Sequence, residues 1–294
     1  MRQLTSYFGA YVAGRRYRRA MPEPRLTAIP AETYLAHLDR ESRRFAEVLG
    51  GVDPAIPVPS CPDWTAADLV WHLTEVQWFW GSIAGDRITD AGAVDAADQD
   101  KPDRPGGYQD LLALFGTARE RLAAAVADGP DDTPLWSWAA EQTLRFTRRR
   151  QAHEALIHRV DAELTAGIPV QPLDPQLAAD GIDEVLTVMW AGMPAWASFL
   201  PGEGVLAIQS ADTGNDWLIE LGRMSGTSTN TGKTYDEPAI AMLESGARAA
   251  DAQVRGKATD LDQWLWNRGK FGIEPSGAQP VLDRLAALIA TGVQ

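Results

Sequence analysis

The 294-residue chain has a single cysteine, Cys61, so it closes no internal disulfide, a usage that fits the reducing cytoplasm. It has 27 Lys and Arg against 40 Asp and Glu, a net charge of −13, and so lacks the basic surface that a nucleic-acid partner demands. Nothing in it approaches the run of about 18 apolar residues that spans a membrane. A phosphate cradle is missing too. Residues 226–234, GTSTNTGKT, place one residue too many between their glycines, and Pro238 interrupts the helix that should follow. There is no G-x-S-x-G for a serine nucleophile. Histidine is scarce, with His37, His72, His153 and His158 the only four. His153 and His158 are five apart, which is not the H-E-x-x-H of metalloproteases and turns His153 ~100° away from Glu154.

What is present is the composition of a folded globular protein, 45% hydrophobic and 23% charged, with eleven Trp. Residues 1–29 hold six arginines against one acid and read as a disordered basic tail. Residues 30–200 read as helical and residues 201–294 as a smaller α+β domain. An amphipathic helix runs from Pro30 to Leu49, ended by Gly50-Gly51. Cys61-Pro62-Asp63-Trp64 reads as a turn, and Thr65 with Asp68 forms a capping signature for the next helix. Residues 86–107 read as a long loop without apolar period. Residues 108–127 give a third helix, and residues 144–166 a fourth, stopped by Gly167-Ile168-Pro169. Four helices with one apolar face each argue for a four-helix bundle. A fifth helix is expected over residues 175–190. In the second domain, residues 205–209 and 217–221 read as a β-hairpin, and residues 222–235 as a Gly/Ser/Thr loop. Residues 240–243 and 251–256 suggest strands, and residues 260–268 and 279–291 helices.

The chemistry concentrates in residues 148–163, RRRQAHEALIHRVDAE. Glu154 and His158, four apart, stack on one helix face together with Thr147 and Asp161. Leu144, Ala155 and Ala162 flank that face on one side, and Phe146, Ile157 and Leu164 on the other, so the polar pair falls inside the buried arc. Leu156 is expected to point away. A carboxylate and an imidazole buried without partners cost several kcal/mol per charge, roughly, and a divalent metal would compensate them. The third ligand best placed is His72, inside the apolar stripe Leu69, Leu73, Val76, Trp80 and Ile83. The alternative is a metal-free polar network, since i,i+4 Glu–His pairs and core histidines are common. Cys61 has no base beside it and is too far along the axis to be a fourth ligand.

CPDW leading into Leu69-Val70-Trp71-His72-Leu73, the HEALIHRVDAE block and Asp180-Gly181-Ile182-Asp183-Glu184-Val185 resemble the mycothiol-dependent maleylpyruvate isomerase family, across about residues 30–290. The resemblance implies a DinB-like metal-binding four-helix bundle followed by a domain related to sterol carrier proteins. It implies a divalent metal, usually zinc, on His72, Glu154 and His158, and mycothiol as the thiol cosubstrate. Arg255 and Arg268 are candidates for the family's substrate-contacting arginine. Asp161 is a candidate for orienting a ligand from behind, or else an ion-pair partner of Arg159 or Arg150. Two His and one Glu leave zinc an open position, as catalytic sites do. A thiolate formed there would add to an activated double bond of a small molecule, giving cis–trans isomerisation, or to another electrophile, giving S-transfer. The rival is a non-catalytic small-molecule or lipid carrier with a structural metal.

Overall fold

The computed structural model describes residues 29–99, 101–229, 231–269 and 271–292. The arginine-rich tail lies outside the described residues. The described chain falls into two compact units, residues 29–137 with 141–171, and residues 138–140 with 172–292.

The first unit is helical. Helix α1 spans Ala31–Leu49 and ends at Gly50. Residues 61–64 are not the expected turn: Pro57–Val58 (β1) and Cys61–Thr65 (β2) pair as a short antiparallel ribbon. Helix α2, Ala66–Gly85, starts where its signature says. The Thr65 hydroxyl accepts from the Asp68 amide, and the Asp68 carboxylate accepts from the Thr65 amide. The segment expected as a featureless loop holds a 3₁₀ turn at Ala91–Ala93 and a short helix α3, Val94–Gln99. Two of its apolar residues, Val94 and Ala97, are buried. Helix α4 is Tyr108–Ala127, and α5 is Leu144–Thr165, capped by the Thr143 hydroxyl on the Phe146 amide. Gly167 (φ 65°) stops α5 in the left-handed region that glycine enters without strain.

The four long helices share one interior. Helix α1 packs on α4 and α5, and α2 does the same. Phe45 and Leu49 of α1, Leu69 and Leu73 of α2, Leu111 and Phe115 of α4 and Ala162 of α5 form one cluster with Val58 and Cys61. Cys61 is thereby a buried apolar packing group. Helix α5 departs from the expectation of one buried arc. Arg148–Arg150, Leu156, Arg159 and Glu163 are all buried along with the apolar face, so no side of this helix is given over to solvent and Leu156 does not point away.

The second unit is α+β. Helix α6, Pro175–Glu184, is capped by Asp174 and continues as a π turn through Val185–Trp190. The expected hairpin is longer than its apolar core. Strands Ala197–Ser210 (β3) and Asp216–Thr227 (β4) pair antiparallel with Val205 opposite Glu220. A register shift between Pro201 and Gly204 is accommodated by glycines at φ 121°. The expected loop over residues 222–235 is in good part strand, because β4 runs on to Thr227 and β5 (Thr234–Leu243) takes its last two residues. Strand β6 (Ala252–Gly256) lies parallel to β3, followed by helix α7 (Ala258–Leu265), strand β7 (Glu274–Gly277), which the sequence reading missed, and helix α8 (Gln279–Ala290). The five-stranded order is β5-β4-β3-β6-β7. Its core includes Val205, Ile208, Ile219, Val254, Leu261 and Leu285. No helix among the described residues is long and apolar enough to cross a membrane.

Candidate metal centre

His72 comes from α2, and Glu154 and His158 from α5. Their side chains meet, with one donor atom from each within 4.8 Å of the others. Glu154 Oε1 lies 3.2 Å from His72 Nε2 and 3.2 Å from His158 Nε2. The two imidazoles are nearly perpendicular, with centroids 4.8 Å apart. Helix spacing explains the Glu154–His158 pair. Burial of the α2 stripe, where Leu69, Leu73, Val76 and Trp80 are all interior, turns His72 toward it.

The groups behind the ligands decide what the site can hold. His158 Nδ1 is 2.8 Å from Asp161 Oδ2, a fully buried carboxylate that Ser60 Oγ also donates to. Asp161 can only accept from the ring, so Nδ1 carries a proton and Nε2 of neutral His158 presents a lone pair to Glu154 Oε1. Two acceptors 3.2 Å apart repel unless a cation, proton or metal, stands between them. Glu154 Oε2 accepts from the buried Arg150 guanidinium at 2.8 Å, leaving Oε1 as the oxygen that faces the histidines. Trp64 covers the ligand rings, with its centroid 4.7 Å from that of His72 and 6.4 Å from that of His158.

Protonation equilibria follow from these contacts. Burial opposes ionisation of Glu154, but Arg150 and the two histidines outweigh it and hold the carboxyl well below its usual range. Burial lowers the basicity of His158, yet Asp161 and Glu154 raise it to about 8 in the metal-free protein. For His72, burial wins over the bond to Glu154, and the neighbouring His158 adds to it, so its pKa falls below that of a free imidazole.

The donor set suits a divalent cation. Zinc with bonds of ~2.0–2.2 Å in a tetrahedron has ligand–ligand edges of roughly 3.3–3.6 Å, close to the two Nε2–Oε1 separations here. Two imidazoles and one carboxylate oxygen also leave a fourth position for a small ligand.

The remaining sequence candidates fall elsewhere. Asp161 bonds His158, while Arg150 pairs with Glu154 and Arg159 with Glu41 and Glu163. Arg255 is exposed on β6 of the second unit, 3.7 Å from Glu274. Arg268, in that same unit, is buried and donates to the Trp266 carbonyl. His153 is buried edge-on against Tyr34, and His37 bonds Arg40, so neither joins the cluster. Arg150, Ser60 and Trp64 were not identified from sequence as neighbours of the ligands. The spacing of Arg150 four residues before Glu154 was the available signal for one of them.

No curated protein sequence matches the chain. Two solved structures share its fold, the crystal structure of the mycothiol-dependent maleylpyruvate isomerase and that of a histidine-to-alanine mutant of it. Each is 15% identical, covers 84% of this chain and 93% of its own, and superposes with a TM-score of 0.53. The model of the mycothiol maleylpyruvate isomerase N-terminal domain matches residues 35–163, which include all three candidate ligands. That of the C-terminal domain of the same family matches residues 176–284. With both domain models matched in order, the chain belongs to the mycothiol-dependent maleylpyruvate isomerase family.

Proposed function

We propose that this chain is a metal- and thiol-dependent enzyme, with His72, Glu154 and His158 as metal ligands, zinc as the metal and mycothiol as the thiol. The observation that carries the reading is the convergence of His72 Nε2, Glu154 Oε1 and His158 Nε2 on one point, with His158 fixed from behind by Asp161 and Glu154 by Arg150. The DinB-like bundle and the sterol-carrier-like second domain belong to the same reading, supported by four long helices around one core and an α+β unit after them.

A divalent cation bound there would supply Lewis acidity, stabilising a thiolate at neutral pH that a free thiol of pKa ~8.5 does not offer. The chain brings no thiol of its own, because Cys61 is packed in the apolar core and is the only cysteine. Asp161 holds the His158 ring in the tautomer that ligates through Nε2. Arg150 occupies the second Glu154 oxygen and keeps the carboxyl ionised. Trp64 gives the imidazoles an apolar cover that limits water.

The thiolate sulfur adds to one carbon of an activated cis double bond, and the electron pair moves to the adjoining carbonyl. Rotation about the new single bond and expulsion of the thiolate return the cosubstrate and leave the trans product, as from maleylpyruvate to fumarylpyruvate. With an electrophile that has no route back, the same attack ends as an S-transfer. Purified protein is expected to carry one equivalent of metal that is lost in His72→Ala and His158→Ala, and to turn over maleylpyruvate or a model electrophile only with added thiol. Full metal content with no thiol-linked turnover would point instead to a carrier with a structural ion.

A further inference from the structure

Gln151 is a buried group that the proposed reaction does not use. It is 1% exposed, and neither its Nε2 nor its Oε1 has a hydrogen-bond partner among the described residues. Other orphaned atoms are milder cases. Gln77 lacks a partner only at Oε1, since its Nε2 donates to Ser42, and Trp78 and Trp196 lack one only at a single indole nitrogen. A primary amide with both ends unmatched costs stability that leucine or methionine of similar volume would not.

Its position says where the match has to come from. Gln151 precedes Glu154 by three residues and His158 by seven, so it shares their face of α5, with its Cα ~4.5 Å along the axis from that of Glu154. Toward the N-terminal end of α5 the interior is closed by rings, with Trp80 against Phe146 and Phe79 against Trp136. None of these rings hydrogen-bonds the Gln151 amide. Along the α5 axis Gln151 therefore stands between the metal ligands and this aromatic end wall.

We propose that Gln151 is a cosubstrate-binding residue that reads the amide beside the sulfur of an N-acylcysteinyl thiol. In such a thiol two carbons separate the sulfur from an amide nitrogen, so sulfur at the metal brings an N–H and a C=O to the next turn of α5. The Gln151 Oε1 accepts from that N–H, or its Nε2 donates to that carbonyl. The inference rests on the thiol chemistry proposed above and adds which thiols are preferred.

The experiment is calorimetric titration of full-length, metal-loaded protein with two probes, N-acetylcysteine methylamide and 2-mercaptoethanol, which has no amide. Wild type is expected to bind the amide thiol about tenfold more tightly relative to mercaptoethanol than Gln151→Leu and Gln151→Met do, the size of one or two hydrogen bonds. Mercaptoethanol affinity stays the same across all three, and the variants melt no lower than wild type because the orphaned amide is gone. Unchanged preference in the variants, or equal loss for both thiols, overturns the role of Gln151. So does a lower melting temperature with preference intact, which marks the amide as structural. If neither thiol binds wild type, the thiol reading of the site fails, and this assignment with it.

Discussion

At the scale of single residues, the three candidate ligands were legible because each obeys a local rule. Glu154 and His158 are four apart on one helix, and His72 interrupts an apolar stripe. What stood open in the sequence was everything one bond further out. Asp161 had as good a claim to pair with an arginine as with His158, and only tertiary placement decides that it bonds His158 Nδ1 at 2.8 Å. Trp64 could not be placed over the rings from sequence, because the ribbon that carries it was read as a turn. Asp161→Asn tests the orienting role. Asparagine can offer its NH₂ to Nδ1 and so invite the tautomer that protonates Nε2, which cannot ligate. The variant is expected to weaken zinc binding about 10- to 100-fold, the usual loss when an outer partner of a histidine ligand goes. Chelator competition would measure it, and unchanged affinity would show Asp161 to be only a buried ion-pair acceptor.

At the scale of elements, helix limits are legible in local residues, whereas the burial of one helix is not. The caps at Thr65, Thr143 and Asp174, and the stop at Gly167, are written in residues next to the bounds they set. The strand errors share a cause. β1 and β7 are two and four residues long, and each depends on a partner that no local pattern names. The Gly/Ser/Thr half of β4 pairs along β5 despite weak intrinsic preference.

Helix α5 looked one-sided because its charges suggested solvent. In the folded unit they face other helices: Arg159 donates to Glu41 at 2.8 Å and to Glu163 at 2.7 Å, and Glu163 takes Arg44 at 3.0 Å. Partners more than a hundred residues apart are invisible to a helical wheel. Burial pushes the Glu41 carboxyl up, but bonds from His37 and Arg159 outweigh it and bring it from 4.5 to about 2. Because the folded value lies below the unfolded one, this carboxylate stabilises the fold above pH 4.5 and loses that contribution as pH falls toward 2. Glu41→Gln leaves the Arg159 charge buried with one acid fewer, and is expected to lower stability by about 3 kcal/mol at neutral pH. The difference from wild type should shrink on acidification through that window. Denaturant melts at several pH values test it, and a gap that stays constant down to pH 2 would remove Glu41 as the titrating group.

At the scale of the whole molecule, each compact unit has its own core, and all three candidate ligands belong to the first. The family models divide the chain in the same sense, one matching residues 35–163 and the other residues 176–284. Two cores of this size give each unit its own unfolding cooperativity. A cation that binds only folded ligands from α2 and α5 then stabilises one unit directly. At a thousandfold excess over its dissociation constant it adds about 4 kcal/mol, or roughly 10 °C for a unit of this length. Calorimetry with and without zinc is therefore expected to show one transition moving by that amount and the other staying in place, with the movement gone in His158→Ala. If both transitions move together, the units unfold as one. If neither moves, the close approach of His158 and Glu154 is bridged by a proton alone, and the metal-free polar network is the correct description of the site.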